Sequence, residues 1–363
     1  MSDAEAILAR LPHHGSVLER NLQILERMAD GMDDAAADHA PVTGGSTLRW
    51  LLGHLLAYRD QMLRRLGAEP VWDEATAAPF KKGSQAAGGP ALADMVAALR
   101  TQAPRLAAAF EGADALIANA ALAPGWVKHD DRAFIQANIV GTDNTLRAAH
   151  DAGVRRIVLV SSVAVYRTRL RTPMDEDTPK VDPENPRFEL SQITTDARYA
   201  RTKAAAERLA WRLHDELDLQ ITSVRPGPIY GPRDHKVTAR YGRWNDRRIT
   251  VAPTARVPHV HALDASDAIA ACLETPSSIG QAYNLGGTSE SIYNILRTWR
   301  RIAGGGARLL PLPLPLGVRF DDRRAERELG FSPRPIEDGL TDCVAWYRQL
   351  VTAPADSAGA PTG

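Results

Sequence analysis

The chain has 363 residues, long enough for two domains that each bury a sizeable core. Its 44 basic and 44 acidic residues cancel, so nothing in the overall charge balance calls for nucleic acid or an anionic membrane as partner. Two cysteines, Cys272 and Cys343, imply no disulfide framework; with no positive-then-apolar leader and no run near the roughly 20 apolar residues that span a bilayer, the expectation is a cytoplasmic protein.

The first 110 residues read as helical. Ser16-Val17-Leu18-Glu19 is a capping box ahead of Leu22, Leu25 and Met28, which share one helix face. Ser46 is expected to cap a second helix carrying Leu48, Leu51, Leu52, Leu55, Met62 and Leu63, closed by Gly67 just past Leu66. "EPVWDEATAAPFKKGSQAAGG" at 69–89 reads as a long loop. A third helix starts near Pro90 with Leu92, Met95, Val96, Leu99 and Leu106, and Pro104 should kink or restart it. The stretch "STLRWLLGHLLAYRDQMLRRLGAEPVW", with a tryptophan and then a histidine on the second helix, resembles the DinB-like helical bundle family over about 14–110. That resemblance makes His54 the first of the three histidines that typically bind a divalent metal there. The helix carrying the other two is missing, and one imidazole makes no metal site, so the expectation is no metal.

Beyond 110 the pattern changes. "RRIVLVSS" at 155–162 and "DLQITSVRP" at 218–226 are short β-branched runs with little alternation, as in parallel strands covered on both faces. Helical segments separate them, which argues for a parallel α/β sheet. Sites in such sheets lie beyond the carboxyl ends of the strands, where Ser161 and Ser162 fall. Tyr199 and Lys203 stand four apart in "DARYARTKAAAERLA", one turn along a single helix face. A free phenol ionises near pH 10, so a catalytic tyrosine needs a nearby positive charge to form phenolate at neutral pH.

Six motifs in order carry a second resemblance: "GADALIANAAL" at 112–122, the helix and strand of 137–166, "YARTK" at 199–203, "ITSVRPGPIYGP" at 221–232, "VHALDASDAI" at 260–269 and "AYNLGG" at 282–287. Together they make about 111–350 similar to the extended short-chain dehydrogenase/reductase family of NAD-dependent epimerases and dehydratases. The fold implied is α/β: an N-terminal helical bundle segment fused to a partial Rossmann-like parallel sheet, with a small C-terminal substrate-side region at 320–348 and a disordered tail at 351–363. The resemblance assigns Ser162 to polarising the substrate oxygen, Tyr199 to acid/base chemistry, Lys203 to the nicotinamide ribose and Asn138 to supporting that lysine. It places Ala120, Ala121 and Pro226 with Tyr199 and Lys203 along the cofactor, NAD or NADP. Val163, Arg225 and Arg233 join Ser162 on the substrate side, where arginine suits a diphosphate. His261 and Asp264 match a loop-anchoring position; Ala118 stands where the family usually has histidine. The partner implied is a small molecule such as a nucleotide sugar, with a homodimer as the candidate assembly.

The family's opening strand, glycine-rich turn and helix are not recognisable upstream of Ala113. "APVTGGSTLRWLLGHLL" at 40–56 starts suitably, but the next glycine after Gly45 is Gly53, and the spacing fails. Three functions follow from these features: an NAD(P)-dependent epimerase, dehydratase or reductase; a non-catalytic binding or scaffold protein unable to hold the dinucleotide; and, more weakly, a metal-dependent transferase of the DinB-like type. With the partner strand absent, "DALIANAAL" is expected to form an exposed apolar sheet edge.

Overall fold

A computed structural model describes residues 26, 29–39, 47–65, 67–80, 89–110, 113–123, 131–169, 172–184, 196–314 and 317–352. The chain divides into two compact units meeting at Ala113 and Asp114. The expected capping box at 16–19 and the "VTGG" segment lie outside the described residues.

The first unit is helical: α1 (Asp34–Ala37), α2 (Leu48–Arg65), α3 (Glu74–Ala77) with a 3-10 turn at Ala78–Phe80, and α4 (Leu92–Phe110). The hydroxyl of Thr47 accepts the Trp50 N–H at the start of α2; Ser46, the expected cap, is outside the described residues. Gly67 takes the left-handed conformation just past α2, as its position suggests. The core joins Leu52 and Leu56 of α2 to Met95 and Leu99 of α4. The expected loop at 69–89 is structured in its first half, because Asp73 caps α3 and both Trp72 and Phe80 are buried. The Phe80 ring lies so close to α2 that a Cβ on Gly53 would stand 2.2 Å from it. The Asp60 carboxylate accepts the N–H groups of Val71 and Trp72 at 2.7 and 2.8 Å, which turns the chain back after α2. Pro104 does not end α4. Pro104 and Arg100 are both exposed, so the carbonyl freed four residues back can bond water.

The second unit is α/β. A parallel sheet of order β1-β2-β3-β7 is built from Ala115–Ala118, Arg156–Val160, Gln220–Pro226 and Ala282–Leu285. Along β2, Ile157 and Leu159 pack with Leu146 of α6 (Gly141–Asp151) and Leu209 and Leu213 of α7 (Ala197–Leu217). Val158 and Val160 point the other way, against Ala265, Ala268 and Cys272 of α9 (Ala262–Glu274) and Ala325 of α11 (Arg323–Leu329). Both faces are covered, which is why the strand sequence is apolar without alternation. Ahead of α6, α5 (Asp131–Ile135) passes into a π turn at Gln136–Val140.

Among the described residues β1 pairs with a strand on one side only, and Ile117 on it is 46 % exposed. No strand precedes β1 among the described residues. Two smaller sheets follow: β4 (Ile229–Tyr230), β6 (Arg256–His261) and β8 (Thr288–Ser291), and the parallel pair β5 (Ile249–Pro253) and β9 (Arg308–Leu312). Their core packs Trp299 of α10 (Ile292–Ala303) with Tyr241 of α8 (Val237–Asn245) and Leu340 and Tyr347 of α12 (Ile336–Thr352). Helix α12 includes Val351 and Thr352, so the expected tail starts inside a helix whose last turn was read as disorder. Among the described residues no helix is long and apolar enough to cross a membrane.

Candidate active site

Ser162 follows the carboxyl end of β2, where its hydroxyl caps the 3-10 turn Val163–Val165 by accepting the Ala164 N–H at 3.1 Å. The Tyr199 phenol stands in the first turn of α7, close enough to the Ser162 side chain for Ser162 to act on its ionisation. Burial raises the Tyr199 pKa, and Ser162 works against that rise by favouring phenolate. Lys203, one turn on, is buried and donates to the Val160 carbonyl at 2.8 Å. Removal from water pushes its ammonium down to about 8, while Glu207, a further turn along, favours the charged form. The side chain that opposes the rise in the Tyr199 pKa is Ser162.

Asn138 bonds the residue next to Lys203 and not Lys203 itself. Its side chain accepts the Leu122 N–H at 2.7 Å and donates to the Leu122 carbonyl and the Thr202 hydroxyl at 3.1 and 3.0 Å. A π turn carries Asn138 into this position, a backbone irregularity often found at functional sites. The effect is to tie the loop holding Ala120 and Ala121 to α7 beside Lys203. Pro226 ends β3 opposite Leu285.

Arg225 departs from the expected substrate side. It is buried in β3, paired with Glu207 at 2.5 Å, and donates to the Tyr166 hydroxyl and the Glu176 carbonyl. A guanidinium with four of its five donors spent inside the protein and almost no solvent access is a core element and is not exposed to a diphosphate. Tyr166 donates in turn to Asn284, whose N–H is held by Glu176. This network was missed in the sequence although its signal was present: Glu207 continues the Tyr199–Lys203 face, and an arginine inside a β-branched strand needs a buried acid. Arg233 sits exposed on the turn after β4 with a φ of +69°, and it makes no hydrogen bond or ion pair with Ser162 or Tyr199.

His261 caps α9, and Asp264 holds Arg334 at 2.7 Å, in keeping with an anchoring role. His54 stacks on Trp50 with ring centroids 4.7 Å apart, and its Nδ1 bonds the Phe80 carbonyl. Among the described residues no group of three histidine, cysteine or acidic side chains could hold a metal ion.

A family model, the NAD dependent epimerase/dehydratase family, matches residues 63–286. The chain belongs to the NAD dependent epimerase/dehydratase family. The match opens inside α2, earlier than the boundary near 111 read from the motifs, and stops before the C-terminal helices. The DinB-like resemblance of 14–110 rests on its sequence motif alone.

Among relatives, the chain is 26% identical to a dTDP-glucose 4,6-dehydratase of Streptomyces niveus, over 63% of this chain and 69% of the relative. It is 33% identical to a 2-alkyl-3-oxoalkanoate reductase of Stenotrophomonas maltophilia, over 36% of this chain and 37% of the relative. The fold is similar to that of a UDP-glucuronic acid 4-epimerase of Bacillus cereus solved in complex with NAD. The TM-score is 0.58 at 24% identity, covering 69% of this chain and 78% of that one.

The described residues fit the nicotinamide-ribose end of the cofactor this family takes. Lys203 has spent one of its three donors on Val160 and keeps two, beside the Tyr199 hydroxyl at the strand ends. They contain no strand, glycine-rich turn and helix ahead of β1 to receive a pyrophosphate.

Proposed function

We propose that the chain is an NAD(P)-dependent oxidoreductase or epimerase acting on a secondary alcohol or ketone, in a nucleotide sugar or a similar small molecule. The observation that supports it best is the Ser162–Tyr199 hydroxyl pair one turn from a buried Lys203, beyond the end of β2. A phenol whose pKa burial has raised is a proton donor at neutral pH. Tyr199 is therefore suited to delivering a proton to a carbonyl oxygen as it is reduced, and Ser162 to holding that oxygen. In the reverse direction, Tyr199 takes the alcohol proton, assisted by Ser162. When bound, the dinucleotide supplies or accepts the hydride, with Lys203 and Tyr199 toward its ribose. The commitment of Arg225 to Glu207 leaves Arg233 as the exposed arginine of those expected to meet a diphosphate.

A second reading, a non-catalytic member of the family, draws on the absence of a described strand ahead of β1. Charge-assisted bonds contribute roughly 1.5–3 kcal/mol each, so losing a few moves binding from micromolar toward millimolar. Titration of purified protein with NADH and NADPH, with thermal unfolding followed alongside, decides between the two. Saturable micromolar binding with a raised melting temperature is the expected result, and substrate screening follows from it. A cooperatively melting chain that ignores millimolar cofactor removes the oxidoreductase reading.

A further inference from the structure

The face of the β5–β9 pair that looks away from α10 concentrates apolar surface. Among the described residues eleven large apolar side chains are exposed, and five of them lie here: Ile249, Val251, Leu310, Leu312 and Leu314, each between 39 and 59 % exposed. The parallel register sets Val251 opposite Leu310 and Pro253 opposite Leu312, so these side chains project from one side. The other side is core: Ala252 and Leu309 pack with Leu296 and Trp299. Contiguous exposed patches of this kind mark interaction surfaces more often than chance.

Charge says what kind of partner fits. Arg247 and Arg248 lead directly into β5, and Arg308 is the register partner of Ile249, so three exposed guanidinium groups gather at one end of the apolar face. None of the three has an acidic partner among the described residues. Asp246, the adjacent acid, accepts the Tyr347 hydroxyl at 2.6 Å. A second copy of this face would bring the same apolar groups and the same uncompensated cations. A surface that is apolar inside and anionic at its rim satisfies both features.

We propose that the β5–β9 face docks on an anionic lipid surface, with Ile249, Val251, Leu310, Leu312 and Leu314 at headgroup depth and Arg247, Arg248 and Arg308 against lipid phosphates and carboxylates. Among the described residues neither strand has a partner strand on its outer edge, and unpaired backbone groups there keep the pair out of the hydrocarbon. The docking is peripheral.

Co-sedimentation of the full chain with vesicles tests it, comparing phosphatidylcholine alone with phosphatidylcholine containing 30 mol % phosphatidylserine, at low and high salt. Binding to the phosphatidylserine vesicles that weakens with salt is expected. Removing three cations in R247Q/R248Q/R308Q should weaken it about 100-fold, at about fivefold per arginine. V251N/L310N, at exposed positions, should weaken it by a similar order while melting like the parent. Binding unchanged in either variant overturns the proposal, as does absence of binding to both vesicle types. A stable dimer in light scattering that V251N/L310N dissolves also overturns it, because the face then belongs to a second copy.

Discussion

The chemistry proposed for Ser162, Tyr199 and Lys203 gives each side chain a state that can be tested. Replacing Tyr199 with phenylalanine removes the proton donor and leaves the ring in place. Turnover should fall roughly 10²–10⁴-fold, the usual range for a lost general acid or base, with the melting temperature nearly unchanged. Ser162→Ala should raise the Tyr199 pKa further, readable as a later phenolate absorbance in an alkaline titration. Lys203 gives a stability signature independent of activity. Its ammonium titrates at about 8 in the folded chain against 10.5 ordinarily, so between those values the unfolded chain holds more protons. Stability contributed by this group therefore rises with pH across that window, by about 3 kcal/mol in total. Lys203→Met should abolish the rise. Urea unfolding of both proteins at pH 8 and 10 checks it. Their difference isolates the lysine, because buried Cys272 and Cys343, pushed up to about 12, tilt stability the opposite way. The positions of Ser162, Tyr199 and Lys203 were legible because motif spacing puts one at a strand end and two on one helix face. Which neighbour perturbs which pKa was not, because that depends on burial and on a carbonyl 43 positions away in sequence.

At the level of elements, α7 and β3 are joined through the Glu207–Arg225 pair, with both side chains almost wholly removed from solvent. Removing one partner leaves an uncompensated buried charge, so Glu207→Leu or Arg225→Met should each cost about 3–5 kcal/mol. The double variant Glu207→Leu/Arg225→Met should cost well below the sum, because two apolar groups leave no orphan charge. A double-mutant cycle by urea denaturation measures this; additive losses would mean the two groups do not act as a pair. A milder case is Asp60, which holds the turn after α2. Asp60→Ala leaves the Val71 and Trp72 N–H groups without their acceptor and should cost about 1–3 kcal/mol in chemical denaturation. These two cases also mark what the sequence left dark. Strands β2 and β3 were visible because a strand covered on both faces must be apolar throughout. The turn built by Asp60, Asp73, Trp72 and Phe80 depends on contacts between distant positions, and its local composition reads as a loop. Pro104 misled for a related reason: its cost is small where the freed carbonyl meets water.

Across the whole molecule, motif order fixed the α/β class and the parallel sheet, since six segments in family sequence constrain the topology far more than any one of them. The sheet opens at β1, and that is its physical weakness. The strand "ALIA" pairs with β2 on one side and has no strand on the other among the described residues. Ile117, exposed on it, adds an apolar side chain to a row of unpaired backbone groups, the combination that templates edge-to-edge aggregation. Natural sheets blunt such edges with lysine. Ile117→Lys should therefore raise the temperature at which light scattering sets in during heating. The midpoint of unfolding in urea should hardly move, because a surface substitution typically changes stability by less than about 0.5 kcal/mol. Separation of the two readouts decides the case. A variant that aggregates as readily as the parent at equal stability means the edge is already protected. A variant that loses several kcal/mol means Ile117 is packed, and β1 is then no free edge.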